Sequence, residues 1–157
     1  MRDTPHGAAV KTHARPTIYL RLTSTAEMIR ETLADVQGWM IARGLTPILR
    51  AEAELVLAEV LNNIAEHAYS DRAGPVTVRL RHCGKGIYCL ITDHGGAMPG
   101  DTLPDGRRPE CSPAHEDLPE GGFGWHVIRL LARDLRYGRK GGYNRLGFFL
   151  DGQSWQR

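Results

Sequence analysis

Between Thr17 and Leu22 (TIYLRL) apolar and polar side chains alternate among β-forming residues, which predicts a first strand. The period then lengthens. Met28, Ile29, Leu33, Val36, Trp39, Met40 and Ile41 recur at helical spacing, with Ser24 or Thr25 as the cap and Glu27 in an acidic first turn. That helix is expected to end near Gly44. Thr46 then caps a second, longer helix with Pro47 at its first position, running to about Tyr69. Its apolar set of Leu57, Val60, Leu61, Ile64 and Ala68 leaves another face free. On that face Glu59, Asn63 and His67 follow one another at i, i+4 and i+8, each ~40° round from the last.

Gly74-Pro75 is a turn. Val76–His82 alternates as a strand, Gly84-Lys85-Gly86 reverses the chain, and Ile87–Asp93 returns. Residues 94–120 hold Gly, Pro, Asp and Glu with little periodicity and room for a short helix around Ala114 to Leu118. A loop of that length inside a compact domain is usually functional or disordered. Helical spacing resumes over Phe123–Leu135. A closing hairpin is expected from Arg136–Arg139, the turn Gly141-Gly142 and Leu146–Leu150. The order βααββ, loop, αββ contains a hairpin where regular βαβ alternation would need a crossover. It therefore predicts an α+β, two-layer sandwich with helices on one face of a sheet.

Composition narrows the class without naming a function. A chain of 157 residues, 41% hydrophobic and 24% charged, is most simply one domain with a sizeable core. The first 16 residues read as a flexible tail without an apolar segment of the kind that signals secretion. No apolar run approaches the ~20 residues of a membrane span. Cys83, Cys89 and Cys111 are an odd set with no paired spacing, which fits a reducing cytoplasm better than a disulfide framework or zinc site. The seven histidines form no metal-binding ladder. A net charge of +2 with dispersed Lys and Arg gives no basic run, so direct nucleic-acid binding is not expected.

Three stretches carry candidate chemistry, and each has an ordinary structural reading beside it. Glu59 and Asn63 place a carboxylate and a carboxamide one turn apart, a pair suited to a proton acceptor beside a hydrated Mg²⁺; equally, they suit a solvated helix face. Asp93 ends a strand and precedes Gly95 and Gly96, a turn signal as well as a place for close backbone approach. Gly121-Gly122-Phe123-Gly124 opens a helix whose N–H groups suit an anion, or simply forms a glycine turn. These glycines follow a loop instead of a strand, which excludes a Rossmann site, and no Gly-Lys-Ser/Thr is present for a P-loop.

Taken in order, the helix with Asn63, the strand ending in Asp93-x-Gly95 and the Gly122-x-Gly124 helix start resemble the Bergerat-fold GHKL group of ATP-binding proteins. Within it they resemble the anti-sigma factor serine kinases in particular, over roughly residues 17 to 150. The resemblance implies one mixed, mostly antiparallel sheet, an ATP-binding domain over 17–152 and a nucleotide lid over 97–120. It makes Asn63 the Mg²⁺ ligand and Glu59 the general base toward an incoming serine hydroxyl. Asp93 becomes the acceptor from the adenine amino group, with Gly95, Ala97 and Met98 against the base. Gly121, Gly122, Phe123 and Gly124 surround the phosphates. Ala97 stands where many relatives have glycine. Asn144 stands nearest a threonine that reaches adenine through water in many relatives. His67 is read as structural, its charge favoured by the helix C-terminus.

The implied function is a MgATP-dependent serine kinase in the cytoplasm that phosphorylates a STAS-domain antagonist and sequesters a sigma factor, as a homodimer. Related ATPases use a Glu at position 59 to activate water, so Glu59 does not separate kinase from ATPase. The alternative is a catalytically silent nucleotide-binding scaffold that regulates a partner protein.

Overall fold

The computed structural model describes residues 16–106 and 123–154. Residues 1–15 of the expected 1–16 tail, residues 107–120 of the expected 97–120 lid, the short helix around Ala114, and Gly121 and Gly122 lie outside the described residues.

The chain forms β1 (Thr17–Thr23), α1 (Ala26–Ile41), α2 (Pro47–Asn63), β2 (Pro75–Cys83), β3 (Gly86–Asp93), α3 (Phe123–Leu131), β4 (Arg133–Lys140) and β5 (Tyr143–Leu150). The five strands make one sheet in the order β1-β2-β3-β5-β4, and each of the four pairings is antiparallel. Period-two alternation sends Leu20, Leu22, Val78, Leu80, Ile87, Ile91, Phe148 and Leu150 to one face, where they are buried. Against them pack Val36, Trp39 and Met40 of α1, Leu57, Val60 and Leu61 of α2, and Ile128 and Leu131 of α3. α2 contacts both α1 and α3 and so runs through the middle of the helical layer.

Caps and turns explain the boundaries. Thr25, not Ser24, caps α1: its side chain accepts from Met28 N, while Ser24 is buried and its Oγ accepts from Gly74 N at 3.0 Å. Thr46 accepts from Leu49 N and Pro47 begins α2, as the sequence predicts. The β4–β5 hairpin turns through Gly141 and Gly142, both at positive φ, as a two-residue turn of the favoured twist requires.

Three boundaries differ from expectation. The α-helical ladder of α2 stops at Asn63, and Ile64–Ala68 continue as a π-helical turn in which Tyr69 N donates to Ile64 O at 3.1 Å. α3 ends at Leu131, four residues early, and β4 begins at Arg133. The register slips between Arg133 and Arg136, and Asp134 takes a positive φ of 52° in that bulge. Leu135 and Tyr137 thereby pack on the core at strand spacing. β5 begins at Tyr143 because its first residues pair with the end of β4.

Candidate active site

α2 carries Glu59 and Asn63 past the start of α3. Both are half-buried. Gly124, in the first turn of α3, faces them: a Cβ placed there would lie 2.5 Å from Glu59 Oε2 and 3.6 Å from Asn63 Nδ2. The missing side chain is what lets the first turn of α3 stand against a carboxylate and a carboxamide. Asn63 Nδ2 is buried and, among the described residues, has no hydrogen-bond partner. A buried amide without a partner is costly unless something else occupies the site.

The π turn sets the second wall. It leaves the Ala68 carbonyl to accept from Gly96 N at 2.8 Å, so the loop after β3 docks on the helix end. Gly95 sits tight against this carbonyl: a Cβ would lie 2.5 Å from Ala68 O and 2.6 Å from Ala68 Cβ. The close approach expected of Gly95 is therefore made to Ala68. Tyr69 pins the same corner. Its hydroxyl donates to Pro75 O at 2.7 Å and accepts from His94 N at 2.8 Å, and burial pushes the phenol pKa up.

Asp93 and Asn144 form the floor. They are register partners on β3 and β5, 4% and 5% exposed. Asp93 Oδ1 accepts from Gly95 N and from Asn144 Nδ2, each at 2.8 Å. Among the described residues no donor reaches Asp93 Oδ2. Asn144 also donates to Gly96 O at 2.9 Å, and its Oδ1 accepts from the Tyr137 hydroxyl and from Arg139, both at 2.7 Å. Arg139 reaches Gly95 O at 2.9 Å, and Tyr137 accepts from Met98 N at 3.1 Å. The polar cluster thus fixes both the carboxylate and the loop carrying Ala97 and Met98.

Between these walls lies a cleft of about 380 Å³, within the range of small-molecule sites. Asn63, Asp93, Ala97, Met98 and Asn144 line it with Ile64, Trp125, Tyr137 and Leu146, an apolar interior with a few convergent polar groups. Residues 103–106 close one side by docking on α3: Arg129 donates to Pro104 O at 2.7 Å, and His126 Nδ1 lies 3.1 Å from Gly106 O.

The structure therefore brings Glu59, Asn63, Asp93, Ala97, Met98, Gly124 and Asn144 to one place. Phe123 is exposed at the start of α3 and does not line the cleft. His67 stands at the rim, 75% exposed and 4.0 Å from Glu66 Oε2. Asn62 and Glu66 are exposed. Trp125, Tyr137 and Arg139 were not expected in the site. Trp125 is an apolar member of α3's pattern, and Tyr137 and Arg139 lie on the expected strand Arg136–Arg139, where pairing with β5 brings them to Asn144.

The donor set fits a Mg²⁺–phosphate group. A half-turn of the Asn63 amide puts a neutral carbonyl oxygen where the buried nitrogen stands, and Mg²⁺ takes few protein ligands beside substrate oxygens.

The family described as histidine kinase-like ATPase domain matches residues 22–148. The serine-protein kinase RsbW of Bacillus mycoides (strain KBAB4) is 26% identical over 123 residues, covering 76% of this chain and 75% of the relative. The serine/threonine-protein kinase BtrW of Bordetella bronchiseptica is 27% identical over 129 residues, covering 81% and 88%. Among solved structures, the RsbU and RsbW domains of Rv1364c from Mycobacterium tuberculosis superpose with a TM-score of 0.60 at 16% identity, over 86% of this chain and 32% of that one. The family match spans most of the chain and both glycine-bearing corners of the cleft, and this chain belongs to the histidine kinase-like ATPase domain family.

Proposed function

We propose that this chain is a MgATP-dependent serine kinase whose substrate is a STAS-domain antagonist protein and which also sequesters a sigma factor. The observation that carries the reading is the convergence of Glu59, Asn63 and the Gly124 helix start on a cleft floored by Asp93. The similarity to serine-protein kinases of about a quarter identity supports the same reading.

Phosphoryl transfer needs positioned phosphates, spread charge and an oriented nucleophile, and little covalent work from the protein. Asp93 Oδ2 is the acceptor for the adenine amino group, with Ala97 and Met98 against the ring. Asn63 would hold Mg²⁺, which when bound spreads the charge of the β- and γ-phosphate oxygens. The first N–H groups of α3 hold phosphate oxygens. Glu59 lies beside this end of the cleft and accepts the proton of a serine hydroxyl as it attacks the γ-phosphorus; ADP leaves with the bridging oxygen.

The test is incubation of the full chain with γ-labelled ATP and each STAS-domain protein encoded in the same genome. Label on a serine of one of them is the expected result. Tight binding of a STAS protein without transfer would instead make the chain a nucleotide-binding scaffold.

A further inference from the structure

The face of the sheet turned away from the helices and the cleft has its own chemistry. Register aligns Tyr19, Arg79, Leu90, Gly147 and Arg136 in one row across all five strands. A second row runs Arg21, Thr77, Thr92, Arg145 and Gly138. A third places Arg81 beside Tyr88 and Phe149. Five arginines, contributed singly or in pairs by four strands, therefore share one surface. Among the described residues, no outward position of β1, β2, β3 or β5 carries a carboxylate. Asp134 stands in the β4 bulge and Asp151 beyond the end of β5, and Asp151 is paired with Arg133 at 2.9 Å.

Arg21 leans on Tyr19, 5.8 Å from its ring centre, and its Nε donates to the Tyr19 hydroxyl at 3.4 Å. Among the described residues, Arg79, Arg81, Arg136 and Arg145 make no ion pair. The aromatic residues between them are exposed, Tyr19 by 53% and Tyr88 by 40%. Tyr88 reaches across to Gly147 and Phe149 to Gly86, where a Cβ would collide with the Tyr88 hydroxyl and with the Phe149 ring. The two rings are thus held down on glycine gaps, which keeps the surface low and continuous. The face is ~19 Å wide, four inter-strand steps of ~4.8 Å.

From this surface we infer a docking site for an acidic protein partner, one presenting clustered Asp and Glu side chains around a small apolar contact. Charge complementarity chooses the partner's sign. Arginine forks take carboxylates in pairs. Arginine and tyrosine predominate here, with Lys140 beside Tyr143 at one corner, and arginine and tyrosine are the residues enriched at protein–protein hot spots. The half-buried Leu90 and the threonines at the centre offer contacts that a chain of phosphates does not use. A second copy of this chain would set five arginines against five, which like charge opposes. Because the cleft opens on the other side of the sheet, a partner here leaves it accessible.

The test uses the full chain and a fluorescent peptide of four Glu-Asp-Leu-Glu repeats, with an oligothymidylate of matching charge as the competing probe. The peptide is expected to bind more tightly than the oligonucleotide. The double variant Arg79→Glu, Arg81→Glu should weaken it roughly tenfold or more. Tyr88→Ser should weaken it at least roughly threefold without changing its salt dependence, because that ring adds contact and no charge. Circular dichroism confirms that both variants are folded. No peptide binding, or binding indifferent to all three residues, overturns the proposal. Tighter binding of the oligonucleotide assigns the face to nucleic acid instead. Sedimentation showing a dimer that the double variant dissociates assigns it to a second copy.

Discussion

Asn144 Nδ2 donates to Asp93 Oδ1 at 2.8 Å across the β3–β5 ladder, and the same amide end reaches Gly96 O at 2.9 Å. One carboxamide therefore orients the carboxylate at the cleft floor and holds the loop that follows it. This separates the two carboxylate oxygens by task. Oδ1 is committed to the protein, and among the described residues no donor reaches Oδ2.

Asp93→Asn keeps an acceptor at Oδ1 for both internal bonds, so the fold should survive. What it loses is the charged acceptor offered to the base. ATP affinity should fall by about 1.5–3 kcal/mol, roughly tenfold to a hundred-and-fiftyfold. Calorimetry on the folded variant reads this directly, and unchanged affinity would take Asp93 out of the nucleotide site. Asn144→Leu should act differently. It strands Tyr137 and Arg139 without their shared acceptor and should destabilise the domain by about 2–3 kcal/mol in chemical denaturation.

Glu59 and Asn63 should separate binding from transfer. Asn63→Ala is expected to lose the Mg²⁺ dependence of ATP binding. Glu59→Ala should keep most of that binding and lose phosphate transfer, since orienting the nucleophile matters most at the transition state. A Glu59→Ala protein that phosphorylates its substrate at the wild-type rate would assign the base elsewhere.

Two glycines of the site should answer differently to the same change. At Gly95 the added methyl meets backbone, the Ala68 carbonyl, which cannot move without the helix end. Gly95→Ala should cost about 1–3 kcal/mol, a fall in melting temperature of roughly 3–10 °C. At Gly124 the added methyl meets Glu59 Oε2, the far end of a flexible side chain. Gly124→Ala should melt within roughly 2 °C of wild type. Its transfer rate should nevertheless drop, because Glu59 is pushed aside. Comparable melting losses in both variants would contradict this distinction.

The Tyr69 hydroxyl gives the fold an alkaline limit. Its pKa is raised by burial, so the neutral phenol is the form that the folded state favours. The stability it adds is fully present below the unfolded value near ~10 and is lost as pH rises through the higher folded value. Tyr69→Phe removes the bonds to Pro75 O and from His94 N and should cost about 1–2 kcal/mol at neutral pH. The gap in melting temperature between wild type and variant should narrow above pH ~10. A gap that stays constant across that range would show that the hydroxyl does not titrate in the fold.

Local rules in the sequence determined the elements themselves. The Thr46-Pro47 cap, the alternation of Val76–His82 and the Gly141-Gly142 turn each act over a few residues, and each appears where the pattern puts it. Helical spacing also placed Glu59 and Asn63 on one face, because that geometry needs nothing beyond the helix. Where two local rules competed, tertiary packing decided. Leu135 satisfied the period of a helix continuing from α3, but a bulge at Asp134 let it reach the core from a strand. The π turn after Asn63 was invisible for the same reason. Its wider ladder exists because Ala68 O finds Gly96 N and Tyr69 finds Pro75 and His94, partners more than five residues away. Strand order explains the rest. Asp93 and Asn144 lie 51 residues apart and meet because β5 pairs with β3. The arginines that look dispersed along the chain share a surface because antiparallel register aligns every second residue of four strands. A sequence fixes which way a side chain points along its own strand; only pairing decides what stands next to it.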